Sequence, residues 1–163
     1  MAEYLARRFA GPLVASAGTH AIAGRGMHPK AMRSLAEVGV DASSFRSRTL
    51  TSKLVTDASL ILTATREQRA ECIRLAPRQL GRVFTLRQLE RLVEATDLHR
   101  DTSGTSVDGV LEAVTAVRGN VQPVPTSHDE IVDPLHGTLD DMRACMRMIQ
   151  RSLESVLTVI KLP

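Results

Sequence analysis

The segment 58–64, with the sequence ASLILTA, carries the strongest strand signal in the chain. Its residues are apolar or small on both faces, which is typical of a strand buried on both sides within a parallel sheet. A helical pattern follows over 66–75, a second short strand is predicted at 82–85, and a further helix follows over 86–93. Strands that alternate with helices in this way predict an α/β fold around a parallel sheet.

The remaining segments continue this alternation. Met1, Leu5 and Phe9 are spaced by four residues and predict an amphipathic first helix, with no strand before it. A short apolar strand is predicted at 13–16, and a glycine-rich loop follows at 17–26. Four further segments have helical patterns and one stretch, rich in breakers, resembles a linker: the helices 28–39, 51–54, 107–117 and 139–160, and the linker 118–129.

The length and composition of the chain argue against several classes of function. The 163 residues suffice for one domain with a sizeable core, so we predict a single domain over 1–163. The net charge of +3 is small and dispersed, which argues against a nucleic-acid partner. No apolar run reaches membrane-spanning length and no signal peptide is visible, so no membrane partner is expected. The two cysteines fit neither a disulfide framework nor a zinc site, and the histidines lack metal-ligand spacing, which favours a reducing cytoplasm and no metal.

Asp133 is the first candidate for chemistry. It precedes Pro134, which restricts its backbone to extended geometry and so fixes where the carboxylate points. A carboxyl group held in this way can donate a proton to a leaving oxygen. The simpler interpretation is a turn, or a cap for the last helix, because Asp-Pro is common in turns.

Two stretches match Cys-x5-Arg, the spacing with which a thiolate can attack phosphorus while an arginine binds its oxygens. They begin at Cys72 and at Cys145. A phosphate cradle needs consecutive inward-pointing backbone N–H groups, usually with glycine. Neither stretch contains glycine, and each lies within or at the end of a predicted helix. We therefore interpret both cysteines as small apolar core residues, and a role as an alternative nucleophile as the weaker reading.

Several motifs occur in an order that resembles a known family. They are SAGT at 16–19 after a strand, the strand 58–63 followed by Thr65-Arg66, and Asp133-Pro134 before a long helix. Together they resemble the low-molecular-weight protein-tyrosine phosphatases in their bacterial form. The opening residues MAEYL also resemble the segment that follows the catalytic loop in this family, whose pattern is Cys-x5-Arg-Ser-Pro-Met-Ala-Glu. The resemblance covers nearly the whole chain, and the excess at 94–122 is predicted to be an insertion or extended loop.

The resemblance implies a flavodoxin-like three-layer sandwich with four parallel strands in the order 2-1-3-4. It also implies hydrolysis of a phosphate monoester, typically phosphotyrosine on a protein, through a cysteinyl-phosphate and without a cofactor. Asp133 matches the general acid of the family, and Ser16 matches a serine that supports the phosphate loop. Ile22 stands where many members place an aromatic wall, and Leu135 and His136 replace aromatic residues common after Asp-Pro. These replacements put tyrosine specificity in doubt.

The nucleophile, its arginine and the first strand of the family have no counterpart in this sequence. We expect a phosphatase that lacks its N-terminal segment, through a mis-set start or a truncation, and that is inactive as it stands. The alternative is a non-catalytic binding or regulatory protein. Because the missing strand is internal in the order 2-1-3-4, its neighbours would expose unpaired edges, which a strand-donating partner or self-association could cover.

Overall fold

A computed structural model describes residues 1–100 and 103–161. The chain divides into two compact units, Met1–Leu50 with Val132–Arg151, and Thr51–Ile131 with Ser152–Pro163. The helices are α1 (Ala2–Ala10), α2 (Pro29–Ala36), α3 (Ser52–Asp57), α4 (Arg66–Leu75), α5 (Leu86–Glu94), α6 (Val107–Val117), α7 (Thr126–Asp129) and α8 (Leu139–Leu157). The first unit contains α1, α2 and the start of α8, and the second unit contains α3 to α7. Short 3₁₀ turns lie at Gly11–Leu13, Pro77–Arg82 and Leu98–Arg100.

The sheet belongs to the second unit. Strand β1 (Ile61–Thr63) pairs in parallel with β2 (Val83–Thr85), with Leu62 opposite Phe84. All three residues of β2 are buried, and α4 packs against both strands. The predicted α/β class and the parallel sheet are therefore confirmed, because a parallel pair needs a crossover helix such as α4 to cover it.

Side-chain caps explain where α3, α4, α5 and α6 begin. Thr51, Thr65, Thr85 and Ser106 each accept a hydrogen bond from the amide three residues further on. Such a cap satisfies one of the free amides in the first turn of a helix. The predicted bounds of α4 and α6 are consequently confirmed to the residue.

The first unit is built around α1, α2 and the beginning of α8. Leu5, Leu35 and Met142 are buried, one from each of these helices. Between the 3₁₀ turn at Gly11–Leu13 and the start of α2, the chain forms loops. The loop at 16–26 is bound to residues 45–50 through backbone bonds and one parallel bridge between Gly18 and Thr49.

The predicted strand at 13–16 is wrong. Leu13 ends a 3₁₀ turn, and in the described parts of the chain no strand pairs with residues 14–16. A strand needs a hydrogen-bonding neighbour, and in the described residues no neighbouring strand lies beside residues 14–16. The sheet formed by the described residues therefore has two strands rather than the implied four.

The observed boundaries of other elements differ less from the predicted ones. The strand predicted at 58–64 is confirmed only over Ile61–Thr63, where β2 runs beside it, and two of its three residues are half-buried. The linker predicted at 118–129 contains the short helix α7. The extended loop predicted at 94–122 includes a 3₁₀ turn and α6, while residues 101 and 102 lie outside the described part of the chain. None of the described helices is long and apolar enough to cross a membrane.

Candidate active site

Asp133 lies in a tight, exposed turn. One of its carboxylate oxygens, Oδ1, accepts the amide of Leu135 at 3.0 Å, and the amide of Gly137 donates to the Pro134 carbonyl at 3.0 Å. Within the described residues, the other oxygen of Asp133 has no hydrogen-bond partner. The predicted turn is confirmed, and it leaves one oxygen of an orientated carboxylate open to a ligand.

The turn leads directly into α8 through a reciprocal cap. The Thr138 hydroxyl accepts the amide of Asp141 at 3.1 Å, and the Asp141 carboxylate accepts both the amide and the hydroxyl of Thr138 at 2.7 Å. These two hydrogen bonds lower the pKa of Asp141, and the nearby charge of Lys30 lowers it further. This is the arrangement of a capping box, and it fixes the residue at which α8 begins.

Lys30, at the start of α2, reaches the same turn. Its Nζ donates to the Gly137 carbonyl oxygen at 2.6 Å. Further along the same two helices, Arg143 donates two hydrogen bonds to Glu37, at 2.7 and 2.6 Å. The beginning of α8 is thus bound to α2 at two separate points.

Ser16 is tied to the first turn of α1. Its hydroxyl donates to Glu3 at 2.5 Å, and its carbonyl accepts Nε of Arg48 at 2.6 Å. The loops at 16–21 and 45–48 line an open pocket of about 270 Å³, whose lining includes Ser16, Phe45 and Arg48. Ser16 therefore supports the N-terminal end of α1.

The candidate substrate-facing residues are exposed. Ile22 is 66% exposed and Leu135 39% exposed, and His136 is exposed as well. In residues 1–100 and 103–161, no hydrogen bond or ion pair joins Ser16 or Ile22 to Asp133, Leu135 or His136. The structure brings Asp133 and Leu135 together through the turn, and it shows no direct polar contact among the other candidates.

Both cysteines are buried in helices. Cys72 lies in α4 and Cys145 in α8. Burial raises the pKa of the Cys72 thiol, with Glu71 adding to the shift. Burial also raises the pKa of Cys145, and the negative charge of Asp133 adds to it. The Cys-x5-Arg stretch from Cys145 lies wholly within α8, and that from Cys72 runs from α4 into a 3₁₀ turn, so neither forms a phosphate cradle.

A buried cluster in the second unit was not predicted from the sequence. Asp129, in the supposed linker, is 2% exposed and binds the guanidinium groups of Arg66 and Arg91. No spacing rule joins residues so far apart. Within the described residues, no group of three or more His, Cys, Asp or Glu side chains is arranged to hold a metal ion.

Known proteins share both the sequence pattern and the fold. Two curated relatives, each named "Probable low molecular weight protein-tyrosine-phosphatase EpsP", come from Ralstonia nicotianae and Ralstonia solanacearum. Each is 37% identical over 92 residues, a match that covers 56% of this chain and 63% of the relative. The chain therefore spans less than two thirds of the length of these curated relatives.

Solved structures show the same fold at low identity. The Erwinia amylovora tyrosine phosphatase amsI superposes with a TM-score of 0.69 at 17% identity, over 98% of this chain and 83% of that protein. The YwlE arginine phosphatase from Geobacillus stearothermophilus gives 0.68 at 20% identity, over 96% and 80%. At this identity the likeness concerns the fold alone.

A family profile matches most of the amino-acid sequence. The profile described as "Low molecular weight phosphotyrosine protein phosphatase" matches residues 1–116, which is well over half of the chain. The same stretch contains Ser16 and the parallel pair of strands. The chain belongs to the low molecular weight phosphotyrosine protein phosphatase family.

Proposed function

We propose that residues 1–163 form part of a phosphate-monoester hydrolase and supply its general acid, Asp133. The observation that carries this proposal is the geometry of the Asp133 turn. One carboxylate oxygen is held by the Leu135 amide at 3.0 Å, and the residue is exposed. A general acid must be held in place and still reach the leaving oxygen, and this turn meets both requirements.

The proposed chemistry has two steps. A thiolate attacks phosphorus, the bond between phosphorus and the ester oxygen breaks, and protonated Asp133 gives its proton to the departing oxygen. Water then attacks the cysteinyl-phosphate, the Asp133 carboxylate accepts a proton from that water, and the thiolate leaves with its electron pair. Asp133 is thereby returned to its protonated form, and inorganic phosphate is released.

Neither cysteine of the described residues is suited to supply the thiolate for this reaction. Cys72 and Cys145 are buried within helices, and burial raises the pKa of both thiols. A reactive thiolate needs a lowered pKa and access to its substrate. We therefore propose that this polypeptide alone hydrolyses phosphate esters negligibly.

Ile22, Leu135 and His136 are proposed to face the substrate, with Ser16 supporting the start of α1. Supporting this role, all three substrate-facing side chains are exposed, and Ile22 and Leu135 are aliphatic. An aliphatic wall stabilises a bound aromatic ring less than an aromatic wall does, because it makes no ring-to-ring contacts. The proposed substrates are therefore phosphorylated proteins or small phosphate esters, without a strong preference for phosphotyrosine.

The test is to extend the chain at its N-terminus with a strand and a loop of the family pattern Cys-x5-Arg-Ser-Pro. Turnover should appear, and Asp133→Asn should lower kcat by roughly a hundredfold. The loss should be larger for phenyl phosphate than for para-nitrophenyl phosphate, because the less acidic phenol depends more on a proton donor. Asp140→Asn is the matched control, since Asp140 is an exposed carboxylate at the start of α8, the helix that follows the Asp133 turn.

Two results would contradict the proposal. One is turnover that Asp133→Asn leaves unchanged. The other is an equal loss with both esters, because that would mean that Asp133 acts in folding rather than in proton transfer.

A non-catalytic binding protein is the second candidate, and one observation favours it. In the described residues, β1 has a strand partner on one side only, and the extended Val14 is paired with no strand. A peptide strand from a partner or from a second copy could add to an open edge of this kind. Sedimentation over a range of concentrations tests the second copy, and a stable monomer throughout would count against self-association by strand exchange.

A further inference from the structure

We propose that Lys30 is a positioning residue that holds Asp133 in place for proton transfer, an inference that rests on the proposed role of Asp133. Lys30 lies on α2, far from Asp133 along the chain, and nothing in the motif Asp133-Pro134 points to it. The link between the two residues runs through Gly137.

Gly137 uses both of its backbone polar groups to close the turn. Its amide donates to the Pro134 carbonyl at 3.0 Å, and its own carbonyl accepts Nζ of Lys30 at 2.6 Å. Pro134 in turn follows Asp133, whose Oδ1 is bound to the Leu135 amide. Lys30 therefore holds the far end of a turn whose near end carries the carboxylate.

The position of Lys30 within α2 supports a role in contacts outside that helix. It is the second residue of α2, where the helix dipole disfavours a positive charge. Its ammonium group is directed to the Gly137 carbonyl, and it lies close enough to Asp141 to lower the pKa of that carboxyl. A lysine at this position is better explained by what it binds across the unit than by helix formation.

Removing Lys30 should free the turn without separating the helices. The second connection between α2 and α8, from Arg143 to Glu37, does not involve Lys30. The cap between Thr138 and Asp141 also stays, so α8 should begin at the same residue. A loss of order confined to 133–137 is thus the signature of a positioning role.

Amide exchange measured by NMR on the 163-residue chain tests this directly. Lys30→Met should speed exchange of the Leu135 and Gly137 amides by roughly tenfold, because one charge-assisted hydrogen bond is lost. Lys30→Arg should restore slow exchange. Arg33→Met is the matched control, since Arg33 is a basic residue of the same helix whose pairing with Glu37 is exposed, and it should leave both amides unchanged.

Unchanged exchange in Lys30→Met, or the same increase in Arg33→Met, would overturn the proposal. Lys30→Gln is measured alongside, so that poor folding of one variant does not remove the test, and it too must raise exchange at Leu135. In the N-terminally extended chain, Lys30→Met should lower kcat more for phenyl phosphate than for para-nitrophenyl phosphate and leave KM unchanged. The exchange rates decide the role of Lys30 without turnover, whereas Asp133→Asn decides the proposed function.

Discussion

The guanidinium group of Arg91 lies 2.9 Å from Oδ1 of Asp129, although the two residues are 38 positions apart in the chain. Arg66 binds the other oxygen of the same carboxylate and also donates to the Val124 carbonyl at 3.1 Å. Asp129 is 2% exposed. Two arginines thus hold the stretch between α6 and Ile131 against α4 and α5, within the second unit.

Replacing Asp129 by alanine should destabilise the fold by about 3 kcal/mol, because it leaves two arginines without their buried partner. This value is at the low end for a buried ion pair, since the Arg66 side chain is 43% exposed. Urea unfolding measures it. Asp108→Ala is the control, because Asp108 forms an exposed pair with Arg82 at 3.0 Å and should change stability little. Equal losses in the two variants would contradict this assignment.

The same cluster predicts a pH dependence. Burial alone would raise the pKa of Asp129, but the hydrogen bonds and charges of Arg91 and Arg66 outweigh it and lower the pKa below its ordinary value. A group with a lowered pKa in the folded state stabilises the fold at every pH above its unfolded value and loses that effect as pH falls through its folded pKa. Wild type should therefore lose more stability than Asp129→Asn on acidification below about pH 4. Parallel curves for the two proteins would show that Asp129 does not contribute.

Gly137→Ala should weaken the cap of α8. A Cβ at this position would meet Oδ2 of Asp141 at 2.7 Å, the oxygen that binds Thr138. We expect the folding equilibrium constant to fall by about fivefold, as for the loss of a helix cap. Gly119→Ala is the control, because nothing lies within 4 Å of the added carbon there. If both variants unfold at the wild-type urea concentration, the cap does not depend on Gly137.

Neither thiol should react with a disulfide reagent in the native chain. Cys72 is 3% exposed and Cys145 9% exposed, and burial raises the pKa of each. A protonated, buried thiol is a poor nucleophile. Both cysteines should be modified once guanidinium unfolds the chain, which a colorimetric thiol assay counts. Rapid modification of either one in buffer would mean that a reactive thiolate is present after all.

The bounds of α4 and α6 were predictable because their signals are local, whereas the sequence predicts a linker where α7 forms. Thr65 and Ser106 cap α4 and α6 through contacts three residues away, and the apolar spacing after each favours one face of its helix. The strands were less predictable because pairing decides their length. The run 58–64 forms a strand only where β2 runs beside it, and 13–16 forms none.

In the candidate site, too, the local features were predictable and the long-range contacts were not. The turn at Asp133 was predictable, because Pro134 and the carboxylate of Asp133 act within a few residues. The contact from Lys30 to Gly137 spans 107 residues, and the pairs of Asp129 span 63 and 38. Periodicity and capping rules carry no information at such separations, so these contacts needed the structure.

A phosphatase assay of the purified 163-residue chain tests whether the described residues contain a working nucleophile. With para-nitrophenyl phosphate we expect no turnover above a heat-denatured control, because both thiols of the described residues are buried. The same preparation should show native unfolding behaviour, so that inactivity is not a failure to fold. Measurable turnover that disappears in Asp133→Asn would overturn the proposed inactivity, since the described residues would then contain a nucleophile that works with Asp133.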